Sequence, residues 1–236
     1  MRPVPYQRIR SLAPGAPSRG LPIGGCRHHI RGMLKRRQFI QPSVPVLRPA
    51  PPEGLDWVHE VKFDGWRAQL HKGDDAGKIF SRNGKDLTRR FMDVRVALES
   101  LPCRSAIVDA EIVECADDGT PDFNALMSGS SERLCAWCFD LLELDGRDLR
   151  PLPLVERKAL LLNLLIDADD DTLRYSDDFL EPQKLLKVCN QMGLEGIVSK
   201  RMSQPYKSGR NVGWVKVKTS AWKLANKDRG ELFEKR

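Results

Sequence analysis

The sequence lacks any apolar run near the roughly 20 residues that a helix needs to cross a bilayer, which predicts a soluble protein. It also lacks a cysteine framework, because the six cysteines show no regular spacing, and we expect reduced thiols rather than disulfides. Cys135 and Cys138 form a close pair, but no second Cys or His pair stands at ligand spacing. This argues against a zinc site.

Acidic residues are missing from one part of the chain. Residues 1–50 contain 10 Lys and Arg and no Asp or Glu, and residues 201–236 contain 10 basic and 3 acidic residues. The middle of the chain, 51–200, is acidic, with 29 acidic and 19 basic residues. Basic ends of this kind favour contact with a phosphate polyanion without reading its sequence. The alternative is a pair of solvating tails.

Length and composition predict one large domain with a real core, since 236 residues with 41% hydrophobic residues bury enough apolar surface. Residues 1–37 are rich in Pro, Gly and Arg and predict a basic, irregular arm. Five prolines between positions 42 and 52 argue against a sustained helix or central strand, so we expect irregular chain up to about residue 54. Met33 would be a natural start, in which case the first 32 residues contribute nothing to the fold.

The most informative stretch of the sequence is 59–67, HEVKFDGWR. Its apolar residues predict two strands that meet in a hairpin at Asp64 and Gly65. In the first strand, alternation places Glu60, Lys62 and Asp64 on one face, and Val61 with its neighbour Phe63 on the packing side. Taken alone, such a charged face is most simply a solvated one.

Further elements follow from hydrophobic periodicity and from turn and capping residues. We predict strands at 78–82, 106–113, 134–142, 195–200 and 214–218, and helices at 89–100, 122–128, 153–165 and 181–192, with a short basic helix after an N-cap at Ser220. The strand at 106–113 contains two carboxylates in a buried β-branched run, where they are costly unless bound or hydrogen-bonded.

The stretch 60–67 resembles the nucleophile motif Glu-x-Lys-x-Asp-Gly-x-Arg of the covalent nucleotidyltransferases, which include ATP-dependent DNA ligases, RNA ligases and capping enzymes. The partner motifs resemble the family's in order and spacing: RNGK at 82–85, DAE at 109–111 with Ala110 for the usual glycine, FDLL at 139–142, EGIVSK at 195–200 and WVKVK at 214–218. The resemblance covers about 38–220 and is greatest to bacterial end-joining ligases.

This resemblance implies an α+β nucleotidyltransferase (ATP-grasp-like DNA ligase adenylation) fold, with antiparallel sheets flanked by helices around a nucleotide pocket. We expect an adenylation domain at 38–220 and a basic C-terminal helix at 221–236. An OB-fold domain, which usually follows in the family, does not fit after Lys218. Slow self-adenylylation and weak nick binding are therefore expected unless the arms or another protein compensate.

Residue roles are carried over motif by motif. The resemblance implies Lys62, Asp64, Lys216 and Lys218 as catalytic residues, Glu60 and Phe139 at the adenine, Arg67 and Arg82 at the ribose or a 5′-phosphate, Lys200 near the α-phosphate, and Glu111 and Glu195 as ligands of Mg²⁺ or Mn²⁺. Arg82, Arg36 and Arg37 are expected to contact nucleic acid.

The chemistry gives these residue types a reason. An amine attacks phosphorus only when it is neutral, whereas lysine is ordinarily charged at neutral pH, and nearby cations with partial burial favour the uncharged form. The same cations neutralise charge on the phosphoryl group in its transition state. We therefore expect ATP to form a lysyl-AMP on Lys62, from which AMP passes to DNA.

The expected partners are nicked or broken duplex DNA and a DNA-end-binding or OB-fold-supplying repair protein, with no membrane, for a cytoplasmic monomer. Two alternatives stay open: a nucleic-acid-binding module with the same fold and little turnover, and an RNA ligase or capping-type enzyme. The sequence does not separate ATP from GTP.

Overall fold

The computed structural model describes residues 38–114, 134–168 and 171–227. In chain order its elements are β1 (Ser43–Leu47), β2 (Trp57–Lys62), β3 (Trp66–Lys72), β4 (Lys78–Ser81), α1 (Met92–Ser100), β5 (Ala106–Glu114), β6 (Leu134–Leu144), β7 (Arg147–Asp148), α2 (Leu154–Ala168), β8 (Leu173–Tyr175), α3 (Pro182–Gln191), β9 (Gly196–Arg201), β10 (Gly209–Lys218) and α4 (Ser220–Ala225). None of the helices in these ranges is long and apolar enough to cross a membrane.

The strands form two sheets. The first has the order β1-β10-β9-β2, and the second has the order β4-β3-β5-β6-β7, with β8 beside β6. Most neighbours are antiparallel as expected, but β1 with β10 and β6 with β8 are parallel. The predicted strands and the helices within the described ranges are confirmed with shifted ends, while the helix predicted at 122–128 lies outside those ranges.

The hairpin predicted at Asp64 and Gly65 is wrong. β2 pairs with β9 in the first sheet, whereas β3 pairs with β4 and β5 in the second, so the chain crosses between sheets at this point. A Cβ on Gly65 would lie 2.4 Å from the carbonyl oxygen of Ile112. The glycine is therefore required because two backbones approach closely, and not because a two-residue turn needs it.

Three smaller expectations also change. The chain before residue 54 is not wholly irregular, because β1 contains Pro45 at the edge of its sheet, where a missing N–H is tolerated and the register shifts. The helix predicted from residue 89 begins at Met92. The N-cap of α4 is Thr219 rather than Ser220, since the Thr219 side chain accepts a hydrogen bond from the Trp222 N–H.

Two of the apolar clusters in the described residues show how the core is arranged. One packs the second sheet against α1 and α2 and includes Leu70, Leu98 and Leu141, each fully buried. The other lies between the sheets, where Phe63 stacks on Trp137 with ring centroids 4.6 Å apart. As predicted, the apolar face of β2 thus points inward and leaves the face with Lys62 for the cleft.

An ion pair joins α2 to β6 inside the protein. Arg157 donates from Nε and an Nη to both carboxylate oxygens of Asp140, at 2.7 and 2.8 Å, and neither side chain is exposed. The other Nη of Arg157 donates to the carbonyl oxygens of Leu152 and Gln204. The guanidinium therefore fastens the helix to the sheet and to the segment before β10.

We predict that Arg157→Met destabilises the protein by about 3–5 kcal/mol, because it leaves the Asp140 carboxylate buried without its cation. Arg150→Met is the matched control: Arg150 binds Asp148 with the same two-bond geometry, but both side chains are more than 40% exposed. That loss should cost less than about 1 kcal/mol. Urea denaturation of both variants measures the two losses of stability, and equal losses would contradict the prediction.

Candidate active site

A cleft between the two sheets contains most of the predicted site residues. Its cavity of about 630 Å³ falls in the range of roughly 300–1,000 Å³ typical of small-molecule sites. Its lining includes Glu60, Lys62, Arg67, Arg82, Glu111, Phe139, Lys200 and Lys216. Arg36 and Arg37, predicted to contact nucleic acid, lie outside the described residues. Strands from both sheets thus bring together side chains from distant parts of the sequence.

Lys62 stands at the end of β2 and is paired with a carboxylate. Its Nζ lies 2.5 Å from Glu195 Oε2, and Lys218 Nζ lies 3.2 Å from the other oxygen of Glu195. Mainly cations are expected around this amine from the resemblance, but the structure places a carboxylate nearest to it.

Lys216 brings a further cation to the same place. Its pKa is lowered by partial burial and by the positive charges of Lys62 and Lys218. Val215 and its neighbour Val217 are buried on the opposite face of β10, as the alternation predicted. Lys216 and Lys218 are therefore near Lys62 as expected, and Glu195 joins Lys218 to Lys62, whereas Lys200, expected in the same group, binds Glu60 instead.

Glu60 is buried at the inner end of the cleft between two lysines. Lys158 Nζ donates to Oε1 at 2.7 Å, Lys200 Nζ donates to Oε2 at 2.8 Å, and the Ser176 hydroxyl donates to Oε2 at 3.1 Å. Burial alone would raise the pKa of Glu60, but the two cations lower it. The carboxylate is therefore ionised and acts as a hydrogen-bond acceptor.

The two lysines beside Glu60 differ in charge balance. Burial lowers the pKa of Lys200, which shares the Glu60 carboxylate with Lys158. Lys158 also binds Asp178 at 3.0 Å, and the two carboxylates raise its pKa well above the ordinary value despite burial. Sequence reasoning missed Lys158, because it lies on a helix that was assigned no chemistry and is 98 residues from its partner.

Arg67 forms part of the cleft wall. Its guanidinium donates to both carboxylate oxygens of Asp109, at 3.1 and 2.8 Å, and to the carbonyl oxygen of Ser43. The Tyr206 hydroxyl donates to Asp109 at 2.8 Å and accepts from the Ser43 N–H. Asp109 and Tyr206 were not predicted as site residues, although the expected cost of burying Asp109 was a signal.

Phe139 faces the cleft with cations beside its ring. Lys200 Nζ lies 4.4 Å from the ring centroid, and the guanidinium carbon of Arg67 lies 5.3 Å from it. Trp214, which the sequence analysis did not assign to the site, packs edge-on against Phe139 with centroids 6.2 Å apart. The aromatic surface is thus fixed in place, as a stacking platform for a flat ring requires.

Glu111 is the carboxylate in the cleft with the least compensation. It accepts a hydrogen bond from the Gly65 N–H at 3.1 Å, and burial raises its pKa to about 7. No group of three potential metal-ligating side chains is found within the described ranges. Glu111 and Glu195 nevertheless fit Mg²⁺, which typically takes one or two carboxylates together with water and substrate phosphates.

The fold is that of nucleotidyltransferase-type domains of DNA ligases. The structure is similar to mycobacterial DNA ligase D complexed with ATP and MES, with a TM-score of 0.66 and 27% identity over 75% of this chain and 60% of that one. It shares its fold with the Chlorella virus DNA ligase-adenylate, with a TM-score of 0.53 and 15% identity over 78% and 69%. These likenesses confirm the α+β nucleotidyltransferase fold.

Residues 51–218 match the family model described as ATP dependent DNA ligase domain, and the chain belongs to this family. It is 37% identical over 192 residues to the multifunctional non-homologous end joining protein LigD of Pseudomonas aeruginosa, covering 79% of this chain and 23% of that protein. It is 33% identical over 178 residues to a probable DNA ligase of Dictyoglomus thermophilum, covering 68% and 31%. The chain spans about a quarter to a third of these relatives.

The raised pKa of Glu111 predicts a pH-dependent cost. The Glu111 carboxyl group stays protonated in the folded protein up to about pH 7. Its favourable contribution to the free energy of unfolding is therefore present in acid and is lost as pH rises through the folded pKa. Without divalent cations at about pH 8, Glu111→Gln should therefore be more stable than the wild type by on the order of 2 kcal/mol, given about 1.4 kcal/mol per pKa unit.

Urea denaturation in EDTA at about pH 8 and about pH 5 tests this, because the gain should shrink in acid. Glu53→Gln, at an exposed carboxylate, is the control and should change nothing. Mg²⁺ should stabilise the wild type more than Glu111→Gln. A less stable Glu111→Gln at the higher pH would contradict the assignment.

Proposed function

We propose that this chain transfers the adenylyl group of ATP to Lys62 and then to the 5′-phosphate of a DNA nick, which it seals. The observation that carries the proposal is the position of the Lys62 amine. It lies in the cleft with its lysine partners and one carboxylate, at the nucleophile position of a motif that belongs to a ligase family. The relatives that share this domain are named as DNA ligases or as an end-joining protein.

The first step requires that Lys62 leave its ion pair with Glu195 and lose a proton. The neutral Nζ then forms a bond to the α-phosphorus of ATP, while the bond from that phosphorus to the bridging oxygen of pyrophosphate breaks. Lys216 and Lys218 stabilise the charge that develops on the phosphoryl oxygens. When bound at Glu111 and Glu195, a divalent cation would supply further neutralisation of phosphate charge.

The base of the nucleotide fits the inner part of the cleft. Phe139 offers a ring face whose cation neighbours hold it in place. Glu60 is ionised and accepts hydrogen bonds, so it suits an amino group such as that of adenine. Arg67 is fixed by Asp109 and retains only part of its donor capacity for a ribose or phosphate.

In the second step a 5′-phosphate oxygen of the nick bonds to the phosphorus of lysyl-AMP, and the bond to Nζ breaks. In the third the 3′-hydroxyl attacks the activated 5′-phosphate, releasing AMP and leaving a phosphodiester. Arg82 is exposed at the cleft, which supports its assignment to the 5′-phosphate side of DNA. We also infer, from the relative named for end joining, that a DNA-end-binding protein is a partner of this chain.

We predict that Lys62→Ala abolishes covalent labelling of the protein by α-labelled ATP with Mg²⁺, because no other amine occupies the attack position. Lys62→Arg retains a cation beside Glu195 but lacks an amine that can become neutral, so it should also remain unlabelled. Lys184→Ala removes an exposed lysine and should label like the wild type. Labelling of Lys62→Ala at the wild-type level would refute the proposal.

A chase of the labelled protein with nucleic acid identifies the substrate. We expect the label to move to a nicked duplex of DNA with a 5′-phosphate, followed by sealing and release of AMP, and to remain on the protein when the 5′-phosphate is absent. Parallel reactions with GTP and with nicked RNA distinguish a capping or RNA-joining enzyme. Label that never leaves the protein in any of these mixtures would contradict ligase activity.

A further inference from the structure

Trp222 contacts two groups of the site from outside the motifs. Its indole Nε1 donates to Asp64 Oδ2 at 3.3 Å, and the centroid of its ring lies 3.9 Å from Lys218 Nζ. Lys218 is in turn paired with Glu195, which binds Lys62. The contacts therefore form a closed series that begins at Lys62 and ends at Asp64, two residues further along the chain.

The helix that bears this tryptophan is anchored independently of the contacts with the site. The Thr219 hydroxyl donates to the carbonyl oxygen of Leu194 at 2.7 Å, and the Thr219 N–H donates to the carbonyl oxygen of Glu195. The Asn190 side-chain oxygen at the end of α3 accepts from the Ser220 hydroxyl at 2.9 Å. These hydrogen bonds fix α4 to the residues just before β9, which include Glu195. The helix therefore holds the indole of Trp222 in place.

We propose that Trp222 is a positioning residue for the transfer of the adenylyl group to Lys62. Its ring holds the Lys218 ammonium beside Glu195, and its N–H fixes one oxygen of Asp64. This inference rests on the proposed function, since it assigns a role within that reaction. It adds a residue from α4 to a site built mainly by strands.

The physical effect follows from the competition for Glu195. While Lys218 is held at one oxygen by the aromatic face, the carboxylate is partly neutralised, and its grip on the Lys62 ammonium is weaker. Without the ring, Lys218 is free to turn to solvent, and Lys62 becomes the main cation partner of Glu195. The ion pair then opens less readily, and the amine reacts more slowly.

The two contacts of Trp222 can be separated by substitution. Phe keeps an aromatic face but removes the N–H, whereas Leu removes both. In single-turnover labelling of the 236-residue protein with α-labelled ATP and Mg²⁺, Trp222→Leu should lower the maximal rate at neutral pH by about 3- to 30-fold, as the usual strength of a cation–π contact implies. The ATP concentration at half-saturation should change little.

Trp222→Phe should retain most of the labelling rate, because the ring face is conserved. Leu224→Ala is the matched control on the same helix, where Leu224 is 78% exposed, and it should label like the wild type. If Trp222 acts through Lys218, adding Trp222→Leu to Lys218→Met should slow the reaction no further. Thermal unfolding of each variant reveals any loss of structure.

The outcomes are distinguishable. A wild type that forms no lysyl-AMP would overturn the proposed function and this inference together. A wild type that labels while Trp222→Leu matches its rate would overturn the inference alone. So would an equal slowing by Trp222→Leu in the presence and absence of Lys218, or a Trp222→Phe variant as slow as Trp222→Leu.

Discussion

Charge compensation inside the cleft is the constraint on which the site depends. A buried ion costs several kcal/mol unless an opposite charge and hydrogen bonds replace its water, so each buried charge in the cleft needs a partner of opposite sign. Glu60 meets Lys158 and Lys200, and Arg67 meets Asp109. Glu60 and Lys200 lie on neighbouring strands of the first sheet, Arg67 and Asp109 lie on neighbouring strands of the second, and Lys158 ties the first sheet to α2. The pairs therefore join segments that are far apart in sequence.

Glu111 departs from this balance, and its departure has a chemical meaning. Its raised pKa shows a carboxylate that burial penalises and that its neighbours do not fully neutralise. A divalent cation would supply the missing charge, so the protein without metal carries a cost that binding relieves. The Lys62 and Glu195 pair has the opposite character, because it is satisfied in the resting state and, in the proposed reaction, has to open before the amine attacks. Stability and reactivity are thus divided between two neighbouring carboxylates.

Much of the fold and site follows from short-range sequence signals. Alternation places Lys62 opposite Val61, and Lys216 opposite Val217, because a strand has a period of two whatever its partners. The hairpin at Asp64 was wrong for the same reason: Asp-Gly signals a backbone that needs glycine, but does not distinguish a tight turn from a crossing where two backbones touch. Local pattern carries no information about which sheet the next strand joins.

The residues that sequence reasoning missed share a different property. Lys158, Tyr206 and Trp222 find their partners across 98, 97 and 158 residues, and none stands in a motif. A lysine on an amphipathic helix is ordinarily a solvated residue, and nothing near Lys158 in sequence marks it as buried. Such pairings depend on topology and are visible only once the strands are in order.

Arg67 and Arg82 are predicted for the same role, but their surroundings differ, and these surroundings suit different functions. Three hydrogen bonds hold Arg67, two to Asp109 and one to the Ser43 carbonyl oxygen, so its position is fixed before any substrate arrives. Fixed donors suit a group whose place does not vary, such as the nucleotide that is proposed to become bonded to Lys62. Arg82 lies exposed at the cleft. An exposed cation suits a partner that enters and leaves, which agrees with the proposed contact of Arg82 with the 5′-phosphate of DNA.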